Sequence, residues 1–204
     1  EEAVIAFDRA LARDPGVAAA WNNRGLALVE LGRDSEAEAS FVRAAQLSPG
    51  SVEPHNNRGD ALRRLRRYDE ALASFARGLG VDPGDAGTRT NRAGLLASLG
   101  RTDEALADYG AALRRNPDFP AALFARSHLL WSKKSDLMAA LADLTRLVEK
   151  TPDFPYARGA LMRLKMTAAA WDDFSARKAL LDECVRAGKK AVAPFIYLSL
   201  SEKP

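Results

Sequence analysis

The sequence predicts an all-α solenoid of antiparallel helix pairs, and three observations lead to that prediction. A unit of 34 residues recurs along the chain, for example as 18–51 and 52–85. Within each unit, apolar and small residues return at three- and four-residue steps, which is the period of a buried helix face. A proline closes each unit and stops its second helix. Because one helix pair cannot bury both of its faces, neighbouring units are expected to stack into a right-handed superhelix.

Shifting the sequence against itself by one unit places small residues over small ones and large over large. The aligned columns are Gly25, Gly59 and Ala93; Leu28, Leu62 and Leu96; Leu31, Leu65 and Leu99; Ala37, Ala71 and Ala105; Phe41, Phe75 and Tyr109; Ala44, Gly78 and Ala112; and Pro49, Pro83 and Pro117. The small columns predict where the two helices of a pair approach closely. The aromatic and leucine columns are expected to fill the space beside them, each buried side chain contributing about 1.5–3 kcal/mol.

The repeat frame divides the whole chain. The segments are a second helix of a truncated repeat at 1–17; four repeats within 18–154, at 18–51, 52–85, 86–119 and 120–154; a degenerate terminal helical pair at 155–190; and an extended tail at 191–204. Since the chain starts in mid-repeat and without a methionine, we expect further repeats before Glu1 and interpret it as a cut end. The tail is expected to lead to a downstream domain that this chain does not contain.

Composition excludes several classes of function. Thirty Lys and Arg against 27 Asp and Glu give a net charge of +3, too slight to predict nucleic-acid binding. No apolar run approaches the length of a membrane span, so we expect a cytoplasmic protein with no membrane partner. One cysteine and two histidines predict neither a metal site nor a nucleophile pair. No catalytic residue, cofactor or metal is therefore predicted, and this chain is not expected to be an enzyme.

The aligned columns strongly resemble those of the tetratricopeptide repeat. One departure recurs, because arginine replaces the leucine that usually precedes the first small residue. It occupies that column in every full repeat, as Arg24, Arg58, Arg92 and Arg126. We expect each aliphatic stem to pack and each guanidinium to pair with a carboxylate near a helix start, such as Glu36, Glu70 or Glu104. Contact with a ligand is the alternative.

The C-terminal segment resembles a narrower family, the bacterial SPINDLY-like relatives of the protein O-linked N-acetylglucosamine transferases. In that family a Cys-Asp-Trp-type motif, a helix and a V-x-P-F-x-x-L-x-L phrase join the repeats to the catalytic region. The matching residues are Trp171, Asp172, Asp173, Val192, Pro194, Phe195, Leu198 and Leu200, while Ala169 and Ala170 replace Cys-Asp. The resemblance implies a parent protein that is a sugar-nucleotide-dependent protein glycosyltransferase, with its catalytic domain beginning about where this chain ends.

The phrase NNRG supplies the candidate binding residues. Asn23, Asn57 and Asn91 share one column of the first helix, which is expected to line the concave wall, while the fourth repeat has Ala125 there. Asparagine is a mediocre helix former, but its amide offers a donor and an acceptor together. In the transferases that the chain resembles, such a ladder is associated with the main chain of the protein substrate. The adjacent column supplies possible secondary contacts from Asn22, Asn56 and Thr90.

Two interpretations of the ladder stay open from sequence. The amides either hold a protein or an extended peptide segment, or they only bond to neighbouring repeats and to water. The first predicts a peptide-binding module, the substrate-recruiting part of an O-linked N-acetylglucosamine transferase-like enzyme. The alternative is a general interaction scaffold or co-chaperone-type array. The carboxylate clamp of co-chaperones is disfavoured because its basic positions are occupied here by Asn22, Leu26, Gly87 and Asn91.

Overall fold

The computed structural model describes residues 1–133, 136–168 and 174–190, and the regular structure in these ranges is helical. The helices are α1 Glu2–Arg13, α2 Ala18–Glu30, α3 Asp34–Leu47, α4 Glu53–Arg64, α5 Tyr68–Val81, α6 Ala86–Ser98, α7 Thr102–Arg115, α8 Pro120–Ser132, α9 Leu137–Lys150, α10 Ala157–Thr167 and α11 Phe174–Arg186. The predicted all-α fold is confirmed. None of these described helices combines the length with the hydrophobicity that a bilayer span requires.

The helices form two compact units, Glu1–Arg115 and Asn116–Pro204. In the N-terminal unit α1 packs on α2, followed by the pairs α2–α3, α4–α5 and α6–α7, one pair for each predicted repeat. In the C-terminal unit α8 pairs with α9, and α10 packs against α9 and α11. The predicted tail at 191–204 lies outside the described residues.

The close approach within each pair occurs where the glycine column predicts it. Gly25 of α2 lies against the Phe41 ring, and a Cβ added at Gly25 would be 2.4 Å from that ring. The second repeat reproduces the arrangement with Gly59 and Phe75, at 2.5 Å. Both rings are fully buried, and Phe41 belongs to a cluster that also includes Val4 of the preceding half-repeat. The core therefore continues from one repeat into the next.

The turn between the two helices of a pair requires a left-handed residue. Gly32 and Gly100 take φ values of 71° and 77°, and Arg66 takes 61° in the same column. Glycine adopts this conformation at no steric cost, whereas a side chain with a Cβ is strained in it by about 1–2 kcal/mol. The second repeat therefore makes the same turn with a residue that is poorly suited to it.

The third repeat solves the packing problem with a different pair of residues. Ala93 takes the glycine position and Tyr109 takes the phenylalanine position, and both are buried. Burial raises the pKa of the Tyr109 phenol to about 12, because the ionised form loses its hydration inside the protein.

We predict that Gly59→Ala destabilises the N-terminal unit while Gly94→Ala does not. The new methyl group at position 59 would overlap the Phe75 ring, and overpacking of this kind costs about 1–3 kcal/mol. At Gly94 the nearest atom is the Tyr109 hydroxyl at 3.6 Å, so the higher helix propensity of alanine should stabilise the protein by up to about 1 kcal/mol. Urea unfolding followed by circular dichroism measures both changes. Equal effects of the two substitutions would contradict this account of the glycine column.

We also predict that Tyr109 weakens the fold at high pH. An unfolded tyrosine ionises near pH 10 whereas folded Tyr109 ionises near pH 12, so the free energy of unfolding falls as pH rises through this interval. The loss is on the order of 2 kcal/mol relative to Tyr109→Phe, which lacks the phenol and matches the first two repeats. Urea midpoints of both proteins at about pH 9 and about pH 11 measure it. A parallel decline in the two proteins would show that Tyr109 is not responsible.

Candidate functional site

The first helices of the N-terminal unit form the surface on which the predicted asparagines lie. Helix α2 contacts α4 and α4 contacts α6, so the first helices of successive repeats are direct neighbours. We call their outward side the ladder face, defined by Asn23, Asn57 and Asn91. Asn23 and Asn91 are exposed, and Asn57 is half-buried. The structure thus brings the three predicted residues onto consecutive neighbouring helices.

The two asparagine columns are joined to each other by hydrogen bonds between repeats. Asn57 Nδ2 donates to Asn22 Oδ1 at 2.9 Å, and Asn91 Nδ2 donates to Asn56 Oδ1 at 3.0 Å. The amides of Asn57 and Asn91 are thereby oriented by the repeat before each of them. Among the described residues, the Oδ1 atom and the second N–H of Asn57 and Asn91 have no partner, so they remain available to a ligand.

The other predicted positions behave differently. Asn23 is exposed and makes no side-chain hydrogen bond with any residue that the structure describes. The Thr90 hydroxyl donates to the Ala86 carbonyl of its own helix at 2.7 Å, and the residue is only 8% exposed. Thr90 therefore belongs to the helix interior more than to the surface. Of the secondary column predicted from sequence, Asn22 and Asn56 therefore lie at the ladder face.

Charged side chains border the ladder face and are mostly paired. Arg64 Nε bonds to Asp34 at 2.6 Å, and Arg63 bonds to Asp60 at 2.7 Å. The Ser51 hydroxyl donates to Glu53, and this bond is the main cause that lowers the pKa of the Glu53 carboxyl. A cavity of about 420 Å³ lies at this end of α2 and α4, with Asn22 and Glu53 in its lining. Arg63 and Arg64 beside the ladder face are therefore neutralised in ion pairs.

The arginine column pairs with carboxylates, but not with those expected from sequence. In the first two repeats the carboxylate comes from the preceding second helix, since Arg24 bonds to Asp8 and Arg58 to Glu38, both at 2.7 Å. Arg24 also donates to Ser40, which lies on its own second helix. The expectation that these arginines bind Glu36, Glu70 and Glu104 is wrong. Those carboxylates instead receive Arg33, Arg67 and Arg101 through bonds spanning three residues.

In the last two repeats the arginine pairs with a carboxylate of the same repeat. Arg92 donates two hydrogen bonds to Asp108, at 2.6 and 2.7 Å, and Arg126 does the same to Asp143. Both aspartates are buried and occupy the position that Ser40 holds in the first repeat. An aspartate at this position neutralises the guanidinium of its own repeat, whereas an uncharged serine does not. The arginine column is therefore structural. Its ion pair lies within one repeat where this position is aspartate, and between two repeats where it is serine.

Trp131 lies one residue before the end of α8. The ring is half-buried, the Arg163 guanidinium lies over it at 4.1 Å, and His128 meets it edge-on at 6.2 Å. A cation on one face of the ring closes that face to a ligand. The residue thus helps to join α8 to α10.

The stacked helix pairs, the glycine–aromatic contacts and the polar first-helix surface define a helical-repeat protein of the kind that binds other proteins. The chain matches the family model described as "Tetratricopeptide repeat" over residues 1–52, 56–109 and 90–155. It belongs to the tetratricopeptide repeat family. No curated protein sequence matches it.

Solved structures of several repeat proteins are similar to the chain. A tetratricopeptide repeat protein from Parabacteroides merdae is 26% identical, with a TM-score of 0.66 over 83% of this chain and 67% of that one. YrrB, described as a TPR protein with an unusual peptide-binding site, is 18% identical, with a TM-score of 0.63 over 95% and 96%. Yeast Tom70 is 19% identical, with a TM-score of 0.76 over 97% of this chain and 41% of its own. At identities this low, the last two establish only the fold.

We predict that the amide bond between Asn22 and Asn57 stabilises the stack by about 0.5–1.5 kcal/mol, since both groups are held in place by helices. Asn22→Ala, Asn57→Ala and the double variant form a double-mutant cycle, measured by urea unfolding. Asn23→Ala is the matched control, because it removes an asparagine from the same helix without removing a bond. A coupling energy near zero would mean that the amide pair is not formed in solution.

Proposed function

We propose that this chain is a protein- or peptide-binding module and that its ladder face holds an extended peptide segment by the main chain. The observation that carries the proposal is the alignment of Asn23, Asn57 and Asn91 on neighbouring first helices, with unused amide donors and acceptors on the surface. An extended peptide repeats an N–H and a carbonyl along its length. A column of amides therefore matches its main chain whatever its side chains are.

The inter-repeat amide bonds strengthen this proposal. An unrestrained asparagine side chain loses rotamer freedom when it binds, whereas Asn57 and Asn91 are already fixed by Asn22 and Asn56. Preorganised polar groups lose less entropy on binding. The charges of Arg63 and Arg64 beside the ladder face are neutralised by Asp60 and Asp34, which weakens any preference for one peptide charge, as expected of a surface that binds many partners.

The finer role that we propose is substrate recruitment for a sugar-nucleotide-dependent protein glycosyltransferase in the cytoplasm. The resemblance of the C-terminal segment to SPINDLY-like enzymes supports this role, and its matching residues include Trp171, Pro194 and Phe195. These residues lie outside the described part of the chain. The parent coding sequence tests the role directly, because a glycosyltransferase domain after Pro204 supports it and any other domain there refutes it.

A general interaction scaffold is the second candidate, and one observation favours it. The amides of Asn57 and Asn91 do bond to the preceding repeats, which is a structural use that requires no ligand. If that use were their only one, the ladder face would bind nothing through them. The two candidates therefore differ in what happens when the ladder column is removed.

We predict that Asn23→Ala, Asn57→Ala and Asn91→Ala together weaken binding to many unrelated peptides by about tenfold or more, corresponding to about 1.4 kcal/mol or more. A peptide array, followed by fluorescence anisotropy on the peptides that bind, measures the change. The reason is the loss of three groups that contact the peptide main chain. Unchanged binding would assign these asparagines to structure and favour the scaffold.

Two further variants separate binding from stability. Asn22→Ala with Asn56→Ala removes the acceptors that orient the ladder but leaves the ladder column intact, so binding should weaken less than in the triple variant. Gln46→Ala on α3 is a control for a polar side chain away from the ladder face. Circular dichroism establishes that all variants are equally helical. Equal losses in the triple and double variants would show that packing, and not peptide contact, explains the effect.

A further inference from the structure

A cleft of about 530 Å³ opens between α5 and the following helices α6 and α7, and the ladder asparagines do not line it. Its lining is apolar and small, from Leu72, Ala73, Ala76, Leu96 and Ala107, with the ion pairs Arg92–Asp108 and Arg101–Glu104 at its edge. The volume lies in the range of about 300–1,000 Å³ that is typical of ligand sites. Two exposed alanines and a half-buried leucine from α5 form one side of the cleft.

The equivalent place one repeat earlier is bridged. There Arg58 reaches back to Glu38 of α3 at 2.7 Å, so an ion pair spans the junction between the two repeats. At the cleft, Leu72 replaces Glu38 in the aligned column, and Ala76 replaces Val42. No carboxylate occupies this column of α5, and Arg92 binds Asp108 of its own repeat. The bridge and one branched side chain are therefore missing at this junction.

The helix contacts differ in the same direction. Helix α5 contacts α6 less extensively than α3 contacts α4, although both pairs hold the same position in the repeat frame. The junction between the second and third repeats is thus less tightly packed than the junction between the first and second. Ala76 of α5 is exposed at this junction, whereas Val42 in the same column of α3 is half-buried.

The arginines at the edge of the cleft keep unused N–H donors, while the carboxylates there already accept hydrogen bonds from arginine. Arg92 and Arg101 each use Nε and Nη2 on their own carboxylate, which leaves Nη1 without a partner in the described residues. Asp108 accepts from Arg89 as well as from Arg92, and is itself buried. A bound group at this edge would meet guanidinium N–H groups, so a carboxylate is complementary to it.

We propose that this cleft binds an acidic amphipathic helix of a partner protein, which inserts one large apolar side chain and places a carboxylate against Arg92 or Arg101. Helix α3 of this chain shows the arrangement that fits. It carries Glu38 and Val42 one helical turn apart, in the columns that Leu72 and Ala76 occupy at the cleft. The partner helix supplies the acid and the apolar group that α5 lacks, and helix-in-groove binding uses this spacing.

The test uses a set of fluorescein-labelled, alanine-based helical peptides as the probe. Each contains one glutamate and, four residues later, Leu, Ile, Val, Met, Phe or Trp; the control peptides place the same two residues two positions apart, on different faces. Anisotropy titrations should show that at least one probe peptide binds while its control peptide binds at least tenfold more weakly. If no probe peptide binds, or if the control peptides bind equally well, the proposal is overturned.

Variants of the chain locate the binding. Ala73→Leu fills the cleft from an exposed helix position and should weaken binding of the probe at least tenfold, whereas Ala39→Leu makes the same substitution in the same column one repeat earlier and should leave it unchanged. The triple asparagine variant should also bind the probe normally, which separates this cleft from the ladder face. Equal binding to Ala73→Leu and the unaltered chain would overturn the proposal. Circular dichroism checks that the variants fold.

Discussion

The contact between a glycine on the first helix and an aromatic ring on the second is the constraint on which the rest of the structure depends. At Gly25 and Gly59 even one methyl group would collide with the ring, so the distance between the paired helices is set by the absence of a side chain. The buried rings then extend the core towards the neighbouring repeat. With the hairpin geometry fixed, successive first helices come close enough for short polar side chains to meet.

Polar contacts between repeats use that proximity in two ways. The asparagine amides join α2 to α4 and α4 to α6, and they keep part of their bonding capacity for a ligand. The arginine column joins a first helix to a second helix, either across the junction or within the same repeat. Both sets of contacts are directional, whereas the apolar core is not. They therefore fix the register of helices that hydrophobic packing alone would hold less specifically.

Periodicity predicted the fold well because residues with the same packing role recur in several repeats of the sequence. The described regular structure is helical, as predicted, and its helices pack in successive pairs. The ladder column was predictable for the same reason. The partners of the arginines were not, because several carboxylates lie within reach of each guanidinium and side-chain geometry chooses among them. The relevant signal was the serine or aspartate that follows each arginine by sixteen residues, or by seventeen in the fourth repeat.

The arginine pairing has a consequence for how such an array is assembled. Arg58 depends on a carboxylate supplied by the repeat before it, while Arg92 and Arg126 carry their own. The repeats are therefore not interchangeable modules, although their outlines are alike. If the second repeat were moved to the start of an array, Arg58 would lose its carboxylate partner. The third repeat would keep its ion pair in that place. The residues of the arginine column and their partners therefore limit the order in which these repeats can be joined.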